Sequence, residues 1–294
     1  MKRLLYLFAL MGVLVTTSCS SEMNNEMPDV SRDSVYVTLN FAPSYEVTPM
    51  TRATTSDLSL AFSHLRVYIT NTLTHETLVF NQSSSDEHFG SLIVGLAKAN
   101  HLIRAIGYNT EPTISDLYIL SYPENTVYDT FYKQYQLDTN YSVECSISLD
   151  RLVGKFKLCL NDNDIPNLAS KIRITHTGTS VQYDLQNGGM VSSFNNTPFV
   201  EEFTVSSSNK TFEFLTFVNG NYNNNKSESA AVKMQLTVEA LTSDNIVIET
   251  RTIANAPMYP GCVTTYSGSL FSSAYGSITC TVDPDWTNQY NKTF

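Results

Sequence analysis

Positive charge is scarce in this chain. Its 18 Lys and Arg stand against 28 Asp and Glu, and charged residues of both signs make up only 16% of 294 positions. Nucleic-acid binding needs clustered cations to displace the counterions around phosphate, so a formal charge of −10 excludes that class of partner. Long apolar runs are scarcer still: after the first residues no stretch of about 18 apolar residues occurs, which excludes a later membrane-spanning helix. Histidine is thin and dispersed. His64, His75, His88, His101 and His176 each stand alone, with no second His or Cys at ligand spacing. The cysteines Cys145, Cys159, Cys262 and Cys280 contain no C-x-x-C pair, so neither zinc nor a dithiol redox centre is expected. Export to an oxidising compartment permits disulfides, with three pairings open to four cysteines; yet Cys145 alternates with Val143 and Ile147, and Cys280 with Ile278 and Val282, so both are expected as buried strand residues with free thiols.

Catalytic motifs are missing as well. His75-Glu76 lacks the second histidine of a zinc-protease helix, and Tyr266-Ser267-Gly268-Ser269 lacks the flanking glycine of a nucleophile elbow. Asn161-Asp162-Asn163-Asp164 begins like a calcium loop without its central Gly and terminal Glu, and reads as a turn. Asp283-Pro284-Asp285 reads as a strand-ending turn. The expectation is a protein without catalysis, cofactor or metal. Trp286, the single Trp, is expected to plug the end of a β-sandwich; the sharper alternative is a sugar platform.

What is present begins at the N-terminus. Lys2 and Arg3 precede an apolar run over residues 4–15, then the small residues Thr16, Thr17 and Ser18, then Cys19. That layout predicts an export signal over residues 1–18, too short to span, ending at a lipidation cysteine. Acylation of Cys19 supplies about 0.8 kcal/mol of membrane affinity per buried methylene, so several chains tether firmly. Residues 19–33 are polar and acidic without periodicity and are expected to form a lipidated tether.

Period-two alternation then dominates. Val35, Val37, Leu39 and Phe41 occupy alternate positions of a half-buried strand. Further runs fall at 65–69, 78–80, 92–94, 102–108, 117–120, 127–137 and 143–149. A second series covers 152–160, 172–174, 181–185, 203–205, 212–217, 232–240, 246–252, 264–271 and 277–282. Val232, Met234, Leu236, Val238 and Ala240 give the clearest alternation. A short helix is expected only at 165–170. Parallel pairing throughout would need crossover helices that the chain does not supply. The expected fold is therefore all-β, with two consecutive β-sandwiches over residues 34–149 and 150–294.

Several short motifs add a resemblance. Val127-Tyr-Asp-Thr-Phe-Tyr132, a strand to Leu149, and Asp150-Arg-Leu-Val-Gly-Lys155 resemble segments of the fimbrillin-A-associated anchor and minor-subunit family (Mfa- and Fim-type) of type V fimbriae. Tyr266-Ser-Gly-Ser-Leu-Phe271 and the strand ending in Asp285-Trp286 are similar to that family's closing segments. The resemblance implies two transthyretin-like, seven-stranded sandwiches, outer-membrane attachment through lipid on Cys19, and assembly with other fimbrial subunits by strand exchange. In stalk pilins of this superfamily an arginine-specific protease removes the first strand, and a neighbour's strand fills the groove. Here Val35, Val37, Leu39 and Phe41 mark that candidate exchanged strand. Arg52, followed by Ala53, is the only Arg or Lys between it and the next strand, and so the candidate processing site. Anchor subunits by resemblance keep their first strand and lipid. The polar tail after Trp286 is a poor donor strand, which favours an anchor or minor subunit; the remaining donor candidate is the run over 277–282. A processed stalk or tip pilin, a surface glycan-binding lipoprotein and a secreted hydrolase are the competing readings, and any adhesion ligand is unnamed by the sequence.

Overall fold

A computed structural model describes residues 34–44, 58–141, 143–191, 196–219, 231–271 and 279–283. The described residues are all-β, with two single-turn 3-10 helices and no helix long and apolar enough to cross a membrane. Strands β1 (Ser34–Pro43), β2 (His64–Asn71), β3 (Thr77–Ser83), β4 (Ser91–Ala97) and β5 (Asn100–Tyr108) open the chain. Two short strands follow, β6 (Thr113–Ile114) and β7 (Ile119–Ser121), and then β8 (Thr130–Asp138) and β9 (Val143–Arg151). One sheet runs β4-β1-β9 and the other β3-β2-β5-β8. They touch at one corner, where β8 and β9 share the pairs Phe131↔Arg151 and Tyr132↔Asp150. Between the sheets lies a core that includes Val37, Leu39, Phe62, Ile103 and Phe131, all with essentially no exposure. Gly107 is fixed by this packing, since a Cβ there would stand 2.6 Å from the Phe62 ring.

The second half repeats the plan. It comprises β10 (Val153–Leu160), β11 (Lys171–Thr177), β12 (Gln182–Asp184), β13 (Gly189–Met190), β14 (Phe199–Thr204), β15 (Thr211–Phe217), β16 (Val232–Leu241), β17 (Val247–Met258), β18 (Val263–Gly268) and β19 (Thr279–Asp283). Its sheets are β15-β10-β18-β19 and β14-β11-β16-β17. β10 pairs antiparallel with β15 and parallel with β18, as β1 does with β4 and β9. β14-β11-β16-β17 matches β3-β2-β5-β8 strand for strand. Among the described residues β19 has no counterpart in the first half: it adds an eighth strand to a sandwich expected to have seven, and lies antiparallel on the outer edge of β18.

Three other expectations change. The helix anticipated at 165–170 is a turn, with Ala169 N–H bonded to Pro166 O at 2.8 Å. The run at 117–120 shrinks to the three-residue β7. Cys280 is exposed, because β19 is an edge strand paired on one side only; Cys145 and Cys262 are buried, Cys159 is half-buried, and all four are free thiols. The Asn-Asp stretch is a turn with a packing role. Buried Asp162 accepts the Leu270 and Phe271 N–H groups at 2.7 and 3.0 Å, closing that end of the sandwich. Cys19, Arg52, Ala53 and Trp286 lie outside the described residues.

Candidate functional site

Of the candidate lipidation, processing and strand-exchange residues, Val35, Val37, Leu39 and Phe41 are the ones described, and all four sit on β1. Each points into the core; Val37 and Leu39 are completely covered. β1 is not a rim strand. It has seven register pairs with β4 on one side, Ser34↔Ala97 to Asn40↔Ser91, and seven with β9 on the other, Val37↔Val143 to Pro43↔Leu149. The Phe41 N–H donates to Gly90 O and the Ser44 N–H to Leu149 O, both at 2.8 Å, so odd-numbered β1 residues bond β4 and even-numbered ones bond β9. Gly90 makes the return possible: its φ of +86° is left-handed, and a Cβ would meet Leu58 at 2.5 Å. Polar clips hold the outer face, with Ser91 Oγ donating to Asn40 Oδ1 at 2.9 Å and Asn40 Nδ2 to Glu144 Oε1 at 3.2 Å.

Burial makes this strand expensive to lose. At about 1.5–3 kcal/mol per covered aliphatic or aromatic side chain, the four residues contribute about 6–12 kcal/mol. A whole domain is stable by only about 5–15 kcal/mol. The first sandwich therefore holds together only while β1, or another strand with the same alternation, fills the groove between β4 and β9. Covalently, β1 is also the strand with the longest lead: residues 44–57 separate it from the 3-10 turn Leu58–Leu60, whereas β10 follows β9 after Leu152 alone.

Two of the motifs that carry the family resemblance, 127–132 and 150–155, meet in space at the boundary between the sandwiches. Arg151 forks onto Asp129, with Nε–Oδ1 and Nη2–Oδ2 both 2.8 Å, while its guanidinium lies 4.8 Å over the Phe131 ring. Lys133 pairs with Asp150 at 2.9 Å on adjacent ladder positions. Gly154 is required by close approach, since a Cβ would stand 2.8 Å from Tyr259 O. Tyr266 of the closing motif lies apart from them, stacked on Phe156 at 5.8 Å within the second sandwich's own core. A small sheet, β13-β12-β7-β6, draws strands from both halves and pairs Tyr183 with Leu120. Beneath it a third core joins Ile106, Leu120 and Tyr132 of the first half to Val153, Leu185 and Phe217 of the second. The Tyr132 hydroxyl donates to Leu185 O, and the Tyr122 and Thr130 hydroxyls bond at 2.6 Å. Burial pushes the Tyr183 hydroxyl up to about 12 and raises those of Tyr122 and Tyr132 as well, so these phenols stay protonated. These residues form a rigid joint; the sequence carries the motif strings without revealing their mutual contact.

The rest of the surface holds little that converges. Among the described residues no group of three or more His, Cys, Asp and Glu is placed to hold a metal ion. One apolar cleft lies in the second sandwich, lined by Leu158, Leu160, Val238, Ile253 and Leu270 with Arg251 at its edge. The exposed aromatics among the described residues are Tyr128, Tyr135 and Tyr141, and no stacked pair joins two of them; Tyr128 meets buried Tyr122 edge-on.

No family model and no curated protein sequence matches the chain. Solved structures do. A protein from Bacteroides thetaiotaomicron provisionally named as polysaccharide binding superposes at a TM-score of 0.53, with 8% identity over 85% of this chain and 96% of its own. A protein from Bacteroides ovatus provisionally named an adhesin gives 0.51, with 13% identity over 82% and 90%. The chain has the fold of these two proteins. The fimbrial anchor protein Mfa2 from Porphyromonas gingivalis scores 0.49, with 11% identity over 85% and 97%, which is below the level that marks a common fold.

Proposed function

We propose that this chain is a lipid-anchored, surface-exposed subunit of a fimbria, an anchor or minor subunit that performs no catalysis and works by holding other subunits to the outer membrane. The observation that carries this reading is the position of β1. A lipid on Cys19 would connect through residues 20–33 to the first residue of a strand locked between two ladders. Tension applied at Ser34 runs along the strand axis and shears both ladders together, which is the geometry in which a strand resists force best. Expulsion of β1 after cleavage at Arg52 would separate lipid from body, so a membrane-attached subunit keeps it. The same groove, emptied, would accept a neighbour's strand by β-augmentation, which is the alternative role of a processed stalk or tip subunit. The fold shared with a provisionally named adhesin and the order of the family-like motifs support a surface assembly role. A glycan-binding role needs an aromatic platform, which Tyr128, Tyr135 and Tyr141 do not make.

Mass spectrometry of the N-terminus, on protein taken from native outer membranes, tests the reading. A triacylated Cys19 on an uncut chain is the expected result. A chain beginning at Ala53 would make this a processed pilin instead, and an unlipidated N-terminus near residue 19 would overturn membrane attachment.

A further inference from the structure

The two sandwiches share a strand plan, and they differ at one edge. In the second, the outer edge of β18 carries β19 in antiparallel register from Val263↔Asp283 to Ser267↔Thr279. In the first, β9 occupies the place of β18, and no described strand lies along its outer edge beyond the two corner pairs with β8. The Ser44 N–H reaches Leu149 O, and the Leu152 N–H reaches Thr130 O. Odd-numbered β9 residues therefore aim their backbone groups at β1, and even-numbered ones aim outward. Glu144, Ser146 and Ser148 thus present three N–H and three C=O groups along an edge that has no Lys, Pro or bulge to blunt it. Two residues of the adjoining hairpin are exposed: Tyr135 on β8, with its hydroxyl near the Cys145 thiol, and Tyr141, 82% exposed, in the β8–β9 turn.

We propose that this edge of β9 pairs with the β9 edge of a second copy of the chain, antiparallel about Ser146. Self-complementarity selects that occupant. With Ser146 facing Ser146 across a two-fold axis, Glu144 falls opposite Ser148 of the other copy, so no like charges meet. All outward backbone groups then find partners, and the two three-stranded sheets become one of six. The inward residues Cys145 and Ile147 keep their places over each core, and the antiparallel sense is the one β19 adopts on the sister edge. The outward groups of β9 are not the ones that bond β1, so the edge is open whichever role β1 plays.

Cysteine cross-linking on the full chain tests this, in a Cys280→Ser background that removes the exposed thiol. Cα atoms of an antiparallel hydrogen-bonded pair stand about 5.5 Å apart, within disulfide reach, whereas Ser148 and its symmetry mate would be more than about 13 Å apart. Ser146→Cys should therefore give a disulfide-linked dimer on mild oxidation. Ser148→Cys alone should not, but chains carrying Ser148→Cys mixed with chains carrying Glu144→Cys should. Ser146→Pro, which removes one outward N–H at an edge where proline is tolerated, should keep the folded circular-dichroism spectrum and abolish dimers in sedimentation. Absence of the Ser146→Cys dimer, equal cross-linking through Ser148→Cys alone, or a monomeric unmodified chain would overturn the proposal. So would an edge found occupied by another segment of the same chain or by a different subunit.

Discussion

At the scale of single residues, His176 shows how burial sets chemistry in a chain with few ionisable groups to spare. Its ring lies on β11, stacked 4.6 Å from Phe214 and bonded to the Thr179 hydroxyl at 3.2 Å. Burial alone pulls its pKa down to about 4 from an ordinary 6.5. The sign follows directly. Between those values the unfolded chain binds a proton that the folded chain refuses, so the contribution of His176 to stability is complete above pH 6.5 and falls as pH drops towards 4. Over that window the loss is about 3 kcal/mol, at 1.36 kcal/mol per unit. His176→Phe retains the stacking and cannot titrate, at the cost of leaving the Thr179 hydroxyl one partner short. In urea titrations from pH 7 to pH 4, the wild-type chain should lose more stability than the variant by about this amount. Parallel pH profiles for the two would show that His176 is not held neutral. His101, lowered in the same direction by burial, adds a slope of the same sign in both chains.

At the scale of elements, β1 matters most, because it is both the first described strand of the first core and the strand most loosely connected in sequence. A site-specific protease sequence inserted between residues 44 and 58, then cut, leaves β1 attached by its ladders and side chains alone. The clipped protein should stay intact through size-exclusion chromatography and release the N-terminal fragment only in denaturant. Spontaneous loss of the fragment would mean that the groove is easily vacated and would favour the exchanging subunit over the anchor. The strand itself is legible in the sequence. Val35, Val37, Leu39 and Phe41 alternate cleanly, as do Val232 to Ala240 on β16, because a strand with one buried face writes period two into its residues. What the sequence hides has physical causes. β6, β7, β12 and β13 span two or three residues each, too few to show a period, yet they build the joint. The alternation of Cys280 matches that of a buried strand, but β19 is an edge, and edge position is decided by pairing partners rather than by the strand's own residues. The shared strand plan of the two halves is likewise topological. The chain places the buried residues of β1 and β10 on equivalent inner strands of the two sandwiches, and no string of letters repeats. The motif strings around Asp129 and Arg151 are plain in the sequence, but their fork across two strands is a contact that sequence spacing does not encode.

At the scale of the whole molecule, the proposed anchor role asks the two sandwiches to act as one body, and a shared sheet and a third core couple them. Leu120 has no exposed surface and belongs to neither sandwich. It sits on β7, opposite Tyr183 in the small shared sheet, within the third core that draws on both halves. Truncating it therefore weakens the coupling while leaving both principal cores untouched. Leu120→Ala should cost about 2–5 kcal/mol, the usual range for emptying a buried leucine site. The wild-type chain is expected to unfold in a single calorimetric transition whose van't Hoff and calorimetric enthalpies agree, because neither half can open without exposing Ile106, Val153 and Phe217 at their shared boundary. In Leu120→Ala the less stable half loses that mutual support, and the endotherm should broaden or divide into two. Leu39→Ala, which empties a site of comparable depth inside the first core, provides the contrast. It should lower the melting temperature and leave the joint intact, so the transition shifts without dividing. If Leu120→Ala instead shifts one sharp transition, as Leu39→Ala does, cooperativity resides in the Arg151–Asp129 corner and the β9–β10 connection rather than in the shared sheet.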